Sequence, residues 1–251
     1  IAALPSTSEV RREACRVEVS KGKTLRAVFF APANRSGPHS KIALVCTHPW
    51  AVMGGDMNNN VPDFLARKFA ALGFLTVKFN FRSGTITRGN GEIEDVVAVC
   101  RHLQALDDPP TSIYLLGYSY GSMIANACVD ELDIIKGFVG ISTPFSVFWA
   151  LSLFNGHKLL KKSHSSKPKL LLTGSEDNFT SKAAFCSRFS KFPQPREGFI
   201  VSNKDHFWFG NEWILLVLIY QWLQKQIQPQ ANGETKSDAA EAMPSGAVSS
   251  P

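Results

Sequence analysis

The chain has 251 residues, of which 44% are hydrophobic and 19% charged, with a formal net charge of +6. This length suits one large α/β domain with a substantial core, and the composition excludes a disordered or fibrous protein. Its 27 lysines and arginines are spread along the chain, without the basic tract that would point to a nucleic-acid partner.

Within the first forty residues, "RVEVS" and "TLRAVFFAP" read as two short strands able to pair as an antiparallel hairpin at a sheet edge. From Lys41 the chain alternates strand-like runs with helical patterns, the signature of a mostly parallel sheet wrapped by helices. "KIALVCT" is a strand. "NNNVPDFLARKFAALG" is a helix with Asn60 as N-cap, Pro62 in the first turn and Gly73 as the stop. "FLTVKFNF" is the next strand. "GEIEDVVAVCRHLQAL" follows as a helix with Ile93, Val96, Val97, Cys100 and Leu103 along one face, closed by "DDPP". The runs "TSIYLLG", "IIKGFVGIST" and "KPKLLLTG" are further strands, apolar runs rather than alternating ones, as strands covered on both faces are, and "EGFIVSN" is the last strand. "SYGSMIANACV" and "NEWILLVLIYQWLQKQI" are helices. One domain over 1–228 is expected, followed by an Ala, Ser, Gly and Pro-rich tail over 229–251 that reads as disordered. An apolar insertion over 144–166 is too long for a plain connection and is either a cap or ordinary core.

In "LLGYSYGS", Ser119 lies between Gly117 and Gly121, directly after a strand and before a helix. G-x-S-x-G alone arises by chance in roughly one chain of this length in ten. Its weight comes from the sharp strand-to-helix turn that lifts such a serine above a sheet edge. A serine hydroxyl needs a base and a group that orients the base. His206 follows the last strand and so returns to the same sheet edge, whereas His39, His102, His157 and His164 lie in polar, solvated or insertion segments. Asp177, in "LLLTGSEDNF", sits after an intervening strand and is the favoured acid, with Glu176 and Asp205 as competitors. An oxyanion hole would use the N–H of Tyr120 and that of Trp50, since Pro49 has none.

These residues resemble the α/β-hydrolase superfamily, and within it the small, bacterial-type, dienelactone-hydrolase-like enzymes, from about Lys41 to Gln224. "THPW", "GGDMNN", "FNFR", "GEIEDV", "LLGYSYGS", "GSED" and "DHFW" carry the resemblance. It implies an α/β-hydrolase fold with a triad of Ser119, Asp177 and His206 and a small-molecule substrate. "SGTITRGN" after "FNFR" departs from the glycine-rich turn usual in similar proteins. The insertion stands where many relatives carry a cap. Phe145, Phe148, Trp149, Leu151 and Phe154 would give it an apolar underside, with Phe148 and Trp149 facing the pocket, or would pack as core.

The expectation is therefore a serine hydrolase acting on an ester or thioester. The alternatives are an acyltransferase with the same triad or a non-catalytic protein of this fold that binds an apolar ligand or a protein. No cofactor and no metal is implied. Five cysteines without C-x-x-C spacing suggest reduced thiols rather than a disulfide framework. The longest apolar stretch, "WILLVLIY", falls short of the roughly 20 residues that span a bilayer. A cytoplasmic location is expected, and the start at Ile1 leaves room for a removed targeting segment.

Overall fold

The computed structural model describes residues 8–82, 89–147 and 165–227. The pocket residues expected at Phe148 and Trp149, the rest of the insertion from 150 to 164, residues 83–88 of the "SGTITRGN" loop and the tail lie outside the described residues.

Among the described residues eight strands form one sheet: β1 (Val10–Ser20), β2 (Lys23–Pro32), β3 (Ile42–Thr47), β4 (Leu75–Phe79), β5 (Ser112–Tyr118), β6 (Ile135–Ile141), β7 (Lys169–Gly174) and β8 (Arg196–Val201). Their spatial order is β1-β2-β4-β3-β5-β6-β7-β8. The first two strands run antiparallel as an edge hairpin, β2 is antiparallel to β4, and all pairings from β4 to β8 are parallel. β1 is longer than the "RVEVS" run, because its mostly exposed outer half is held by the ladder to β2 and not by burial.

Among the described residues five α-helices cover the sheet: α1 (Asn60–Ala71), α2 (Asn90–Gln104), α3 (Tyr120–Cys128), α4 (Lys182–Phe189) and α5 (Glu212–Ile227). Alternation along each strand divides the core in two. Ala43, Val45, Ile113 and Leu115 face the layer of α2, α3 and α4, whereas Leu44, Cys46, Tyr114 and Leu116 face α1 and α5. Burial pushes the thiols of Cys46 and Cys100 up to about 12, so both behave as inert apolar groups.

Three local readings change. Asn59 stands at the N-cap position of α1 without a side-chain capping bond, and the Asn60 amide donates to Phe207 O and Glu212 Oε1, each at 2.7 Å. The buried face of α2 runs through Val96, Val99, Cys100 and Leu103, with Val97 only half-buried. His39 is buried, bonded to Leu72 O at 2.9 Å and to the Gln224 amide at 2.9 Å and stacked on Phe74. Phe145, considered for a cap, is 4% exposed and packs with Phe185 and Phe192 in the core.

The chain leaving β4 is fixed by a buried charge. Asp95 on α2 is fully buried and accepts from Arg82 N at 2.9 Å and Arg82 Nε at 2.5 Å. Arg82 also donates to Gly91 O at 2.9 Å and Glu94 Oε2 at 2.7 Å. Removing one member of such a group strands the other, at a typical cost of about 3–5 kcal/mol. Asp95→Ala is therefore expected to lose about 3 kcal/mol in urea unfolding, and Arg82→Ala combined with Asp95→Ala to lose less than the two single changes summed.

Candidate active site

The sheet places the candidate residues before any side chain is considered. After β4 the chain recrosses to β5 on the far side of β3, so strand order reverses between β3 and β5 and a crevice opens at their carboxyl ends. Trp50 follows β3 and Ser119 follows β5. Their loops are pressed together: a Cβ on Gly121 would lie 2.6 Å from His48 O and 2.7 Å from Thr47 O, and one on Gly117 would lie 2.5 Å from Ser122 Cα. Thr47 Oγ1 ties the contact by donating to Gly121 O at 2.9 Å.

Ser119 has φ 55° and ψ −122°, a strained conformation for a residue with a Cβ, and it is held from both sides. Its N–H donates to Ile141 O at 2.8 Å, and its carbonyl accepts from Ser122 Oγ at 2.6 Å. Ser122 Oγ lies 2.9 Å from Thr143 Oγ1, and Thr180 Oγ1 donates in turn to the Thr143 carbonyl.

Ser119 Oγ is 3.0 Å from His206 Nε2, and His206 Nδ1 is 3.0 Å from both carboxylate oxygens of Asp177. An ionised carboxylate only accepts, so Nδ1 carries the proton and Nε2 is left to accept from the serine hydroxyl. The Asp177 side chain is fully buried, and it also accepts from Phe179 N at 2.8 Å and Thr173 Oγ1 at 3.4 Å. The competing carboxylates sit elsewhere. Glu176 is exposed, and Asp205 is turned back on its own loop, accepting from Phe207 N and Trp208 N.

Residues that the sequence did not single out hold the histidine loop. Tyr118 Oη donates to His206 O at 3.0 Å. Trp208, fully buried with φ 60°, donates from Nε1 to Ser142 Oγ at 2.9 Å, and Ser142 itself has φ 48°. A bulky residue such as Trp208 is a strained exception in that region, and its bond to Ser142, also at positive φ, ties the end of β6 to the loop carrying His206. The only signal in the sequence is a tryptophan two places beyond the histidine.

Tyr120 N–H opens α3 at its positive end, next to Ser119. Trp50 is half-buried, with its ring 6.1 Å from that of Tyr120. Exposed apolar side chains flank both loops: Val52 and Met53 in the turn after Trp50, and Phe207 and Phe209 after His206. Phe179 packs its ring 4.4 Å from the imidazole of His206. Among the described residues no group of three or more His, Cys, Asp or Glu could hold a metal ion, and no helix is long and apolar enough to cross a membrane.

No family model matches the sequence. An uncharacterized protein of Rickettsia prowazekii, RP471, is 32% identical over 117 residues, which are 45% of this chain and 49% of that protein. The match thus spans about half the length of its relative. An α/β serine hydrolase homologue from Coxiella burnetii superposes with a TM-score of 0.70 at 25% identity, over 84% of this chain and 97% of the other. A serine hydrolase without lid from Xanthomonas campestris gives 0.71 at 21% identity, over 86% and 94% of the two chains. Est1E from Butyrivibrio proteoclasticus gives 0.72 at 14% identity, over 85% and 98%. The fold is that of the α/β-hydrolase superfamily.

His48, at the end of β3, is the other buried histidine of the crevice. Phe81 N donates to its Nε2 at 3.0 Å, so Nδ1 bears the proton and donates to Pro49 O at 2.6 Å. Burial lowers its pKa from 6.5 to about 4, against smaller opposing effects of the Pro49 carbonyl and Asp56. The unfolded chain therefore takes up a proton that the folded one refuses, and stability falls as pH drops from 6.5 towards 4, by about 3 kcal/mol in all. Urea midpoints recorded across that range should show this slope in the wild type, and His48→Asn should lack that part of it.

Proposed function

We propose that the protein is a serine hydrolase that cleaves a carboxylic ester or thioester through an acyl-enzyme. One observation carries this reading: the unbroken chain of 3.0 Å contacts from Ser119 Oγ through His206 to Asp177. In it His206 Nε2 takes the hydroxyl proton as Ser119 Oγ attacks the carbonyl carbon, and Asp177 holds the working tautomer and stabilises the imidazolium. The N–H groups of Tyr120 and Trp50 receive the negative charge that develops on the carbonyl oxygen. The tetrahedral adduct collapses, the alcohol or thiol leaves with the proton from His206, and water repeats the sequence on the acyl-enzyme.

A substrate with an apolar part fits the rim of Phe207, Phe209, Val52 and Met53, all of them exposed. Phe148 and Trp149 join this pocket in the proposal on sequence alone.

Asp177→Asn should preserve the fold and lower kcat by about 10⁴, the loss typical when the histidine of such a triad is held in the wrong tautomer. Glu176→Gln should leave kcat within about twofold, because surface changes away from the chemistry are nearly neutral. With p-nitrophenyl esters, kcat/KM should rise from acetate to hexanoate, each buried methylene contributing about 0.8 kcal/mol. A flat or falling series would contradict an apolar substrate.

A further inference from the structure

We infer that His48 is a positioning residue of the oxyanion hole, holding the Pro49 carbonyl so that the next peptide N–H, that of Trp50, points towards Ser119. The inference rests on the acyl-enzyme reading above. It concerns a residue that lies outside the triad and contributes no group to the reacting atoms.

The geometry follows from strand order. β3 lies between β4 and β5. The His48 ring reaches to the β4 side, where its Nε2 accepts from Phe81 N at 3.0 Å and its ring centroid is 4.6 Å from that of Phe81. Because Nε2 accepts, Nδ1 must donate, and its acceptor is Pro49 O at 2.6 Å. That carbonyl is thereby drawn to the β4 side. A trans peptide sets its N–H opposite its C=O, so the Trp50 N–H is turned to the β5 side, where Ser119 follows its strand. Without this bond the peptide could rotate to present its oxygen to the crevice, which would repel the charge developing there.

A second contact fixes the same oxygen. A Cβ placed on Gly55 would lie 2.3 Å from Pro49 O and 2.5 Å from Pro49 C, so the turn closes on the carbonyl with no room for a side chain. Gly55 N also donates to Trp50 O at 3.0 Å, which pins the far side of the same residue. His48 is 1% exposed and Gly121 packs against its carbonyl, so the ring has no alternative orientation in solvent.

Two substitutions divide the bonds of the ring. Asn carries an amide N–H near the position of Nδ1 and can keep the donor to Pro49 O, whereas Gln carries an amide oxygen near Nε2 and can keep only the acceptor for Phe81 N. Both variants should unfold at lower urea concentration than the wild type. Loss of one aligned oxyanion donor typically costs 10²–10³ in kcat, so His48→Gln should lose about 10²-fold with KM little changed, and His48→Asn should recover most of that loss. The ratio of rates on an ester and its thionoester, in which sulfur replaces the carbonyl oxygen, reports the hole itself. That ratio should fall in His48→Gln and hold in His48→Asn. Gly55→Ala presses on the same carbonyl without touching the ring, so it should also lower the ratio, and it serves if His48→Gln does not fold. An unchanged ratio in both His48→Gln and Gly55→Ala, with activity tracking stability alone, overturns the inference while leaving the hydrolase reading intact. A wild type without turnover that depends on Ser119 overturns the hydrolase reading and this inference with it.

Discussion

Gly121 has no room for a side chain, because its Cα sits against the last carbonyls of β3 and the Thr47 hydroxyl bonds to its own carbonyl. That close approach of a helix to a strand end is the constraint from which the site follows. It brings the loop after β3 beside the turn after β5, at the point where strand order reverses. A methyl group at 121 would push the two loops apart, and with them Trp50 and Tyr120. The sheet supplies the positions, and this contact sets the spacing between them.

Around it the molecule keeps several residues in conformations they would not choose. Ser119, Ser142 and Trp208 all have positive φ, and each is held by hydrogen bonds from different elements: β6 and α3 for Ser119, and the histidine loop and the end of β6 for the other two. Asn60 joins the start of α1 to the same histidine loop. Strain of this kind costs of order 1–3 kcal/mol per residue and persists only where the surroundings over-determine it. Its concentration at the carboxyl edge of the sheet, beside a buried Asp177 whose carboxylate accepts from His206, Phe179 N and Thr173 Oγ1, is what a preorganised site requires.

The inner parallel strands are legible in the sequence because burial on both faces makes them apolar runs, whereas β8, at the edge, has no buried residue; Ser119 is legible because its turn demands glycines at fixed offsets. Other features depend on partners far along the chain. His39 reads as a residue in a polar segment and is buried by Leu72 and Gln224, which lie 33 and 185 residues away. Asp95 lies in a helical pattern that says nothing of its burial, and it is buried where Arg82, 13 residues away, meets it. α4 escapes notice because it is 8 residues long and buries only Phe185. Between Glu176 and Asp177 the sequence offers only loop position. In the fold, Glu176 N donates to Lys204 O at 2.9 Å, and the Asp177 side chain points into the core. The roles of Tyr118, Ser142 and Trp208 depend on positive φ and on bonds between loops, which no residue spacing encodes.

The proposed chemistry requires Ser119 to be an activated nucleophile and not an ordinary loop hydroxyl. The most direct measurement is intact-protein mass spectrometry after brief exposure to a fluorophosphonate, whose phosphonyl oxygen would enter the same N–H groups as an ester oxygen. The wild type should gain one adduct, mapped by digestion to the peptide containing Ser119. Ser119→Ala should gain none, and His206→Ala should label far more slowly while remaining folded. A folded wild type that stays unlabelled, or that labels at another serine, would contradict the account.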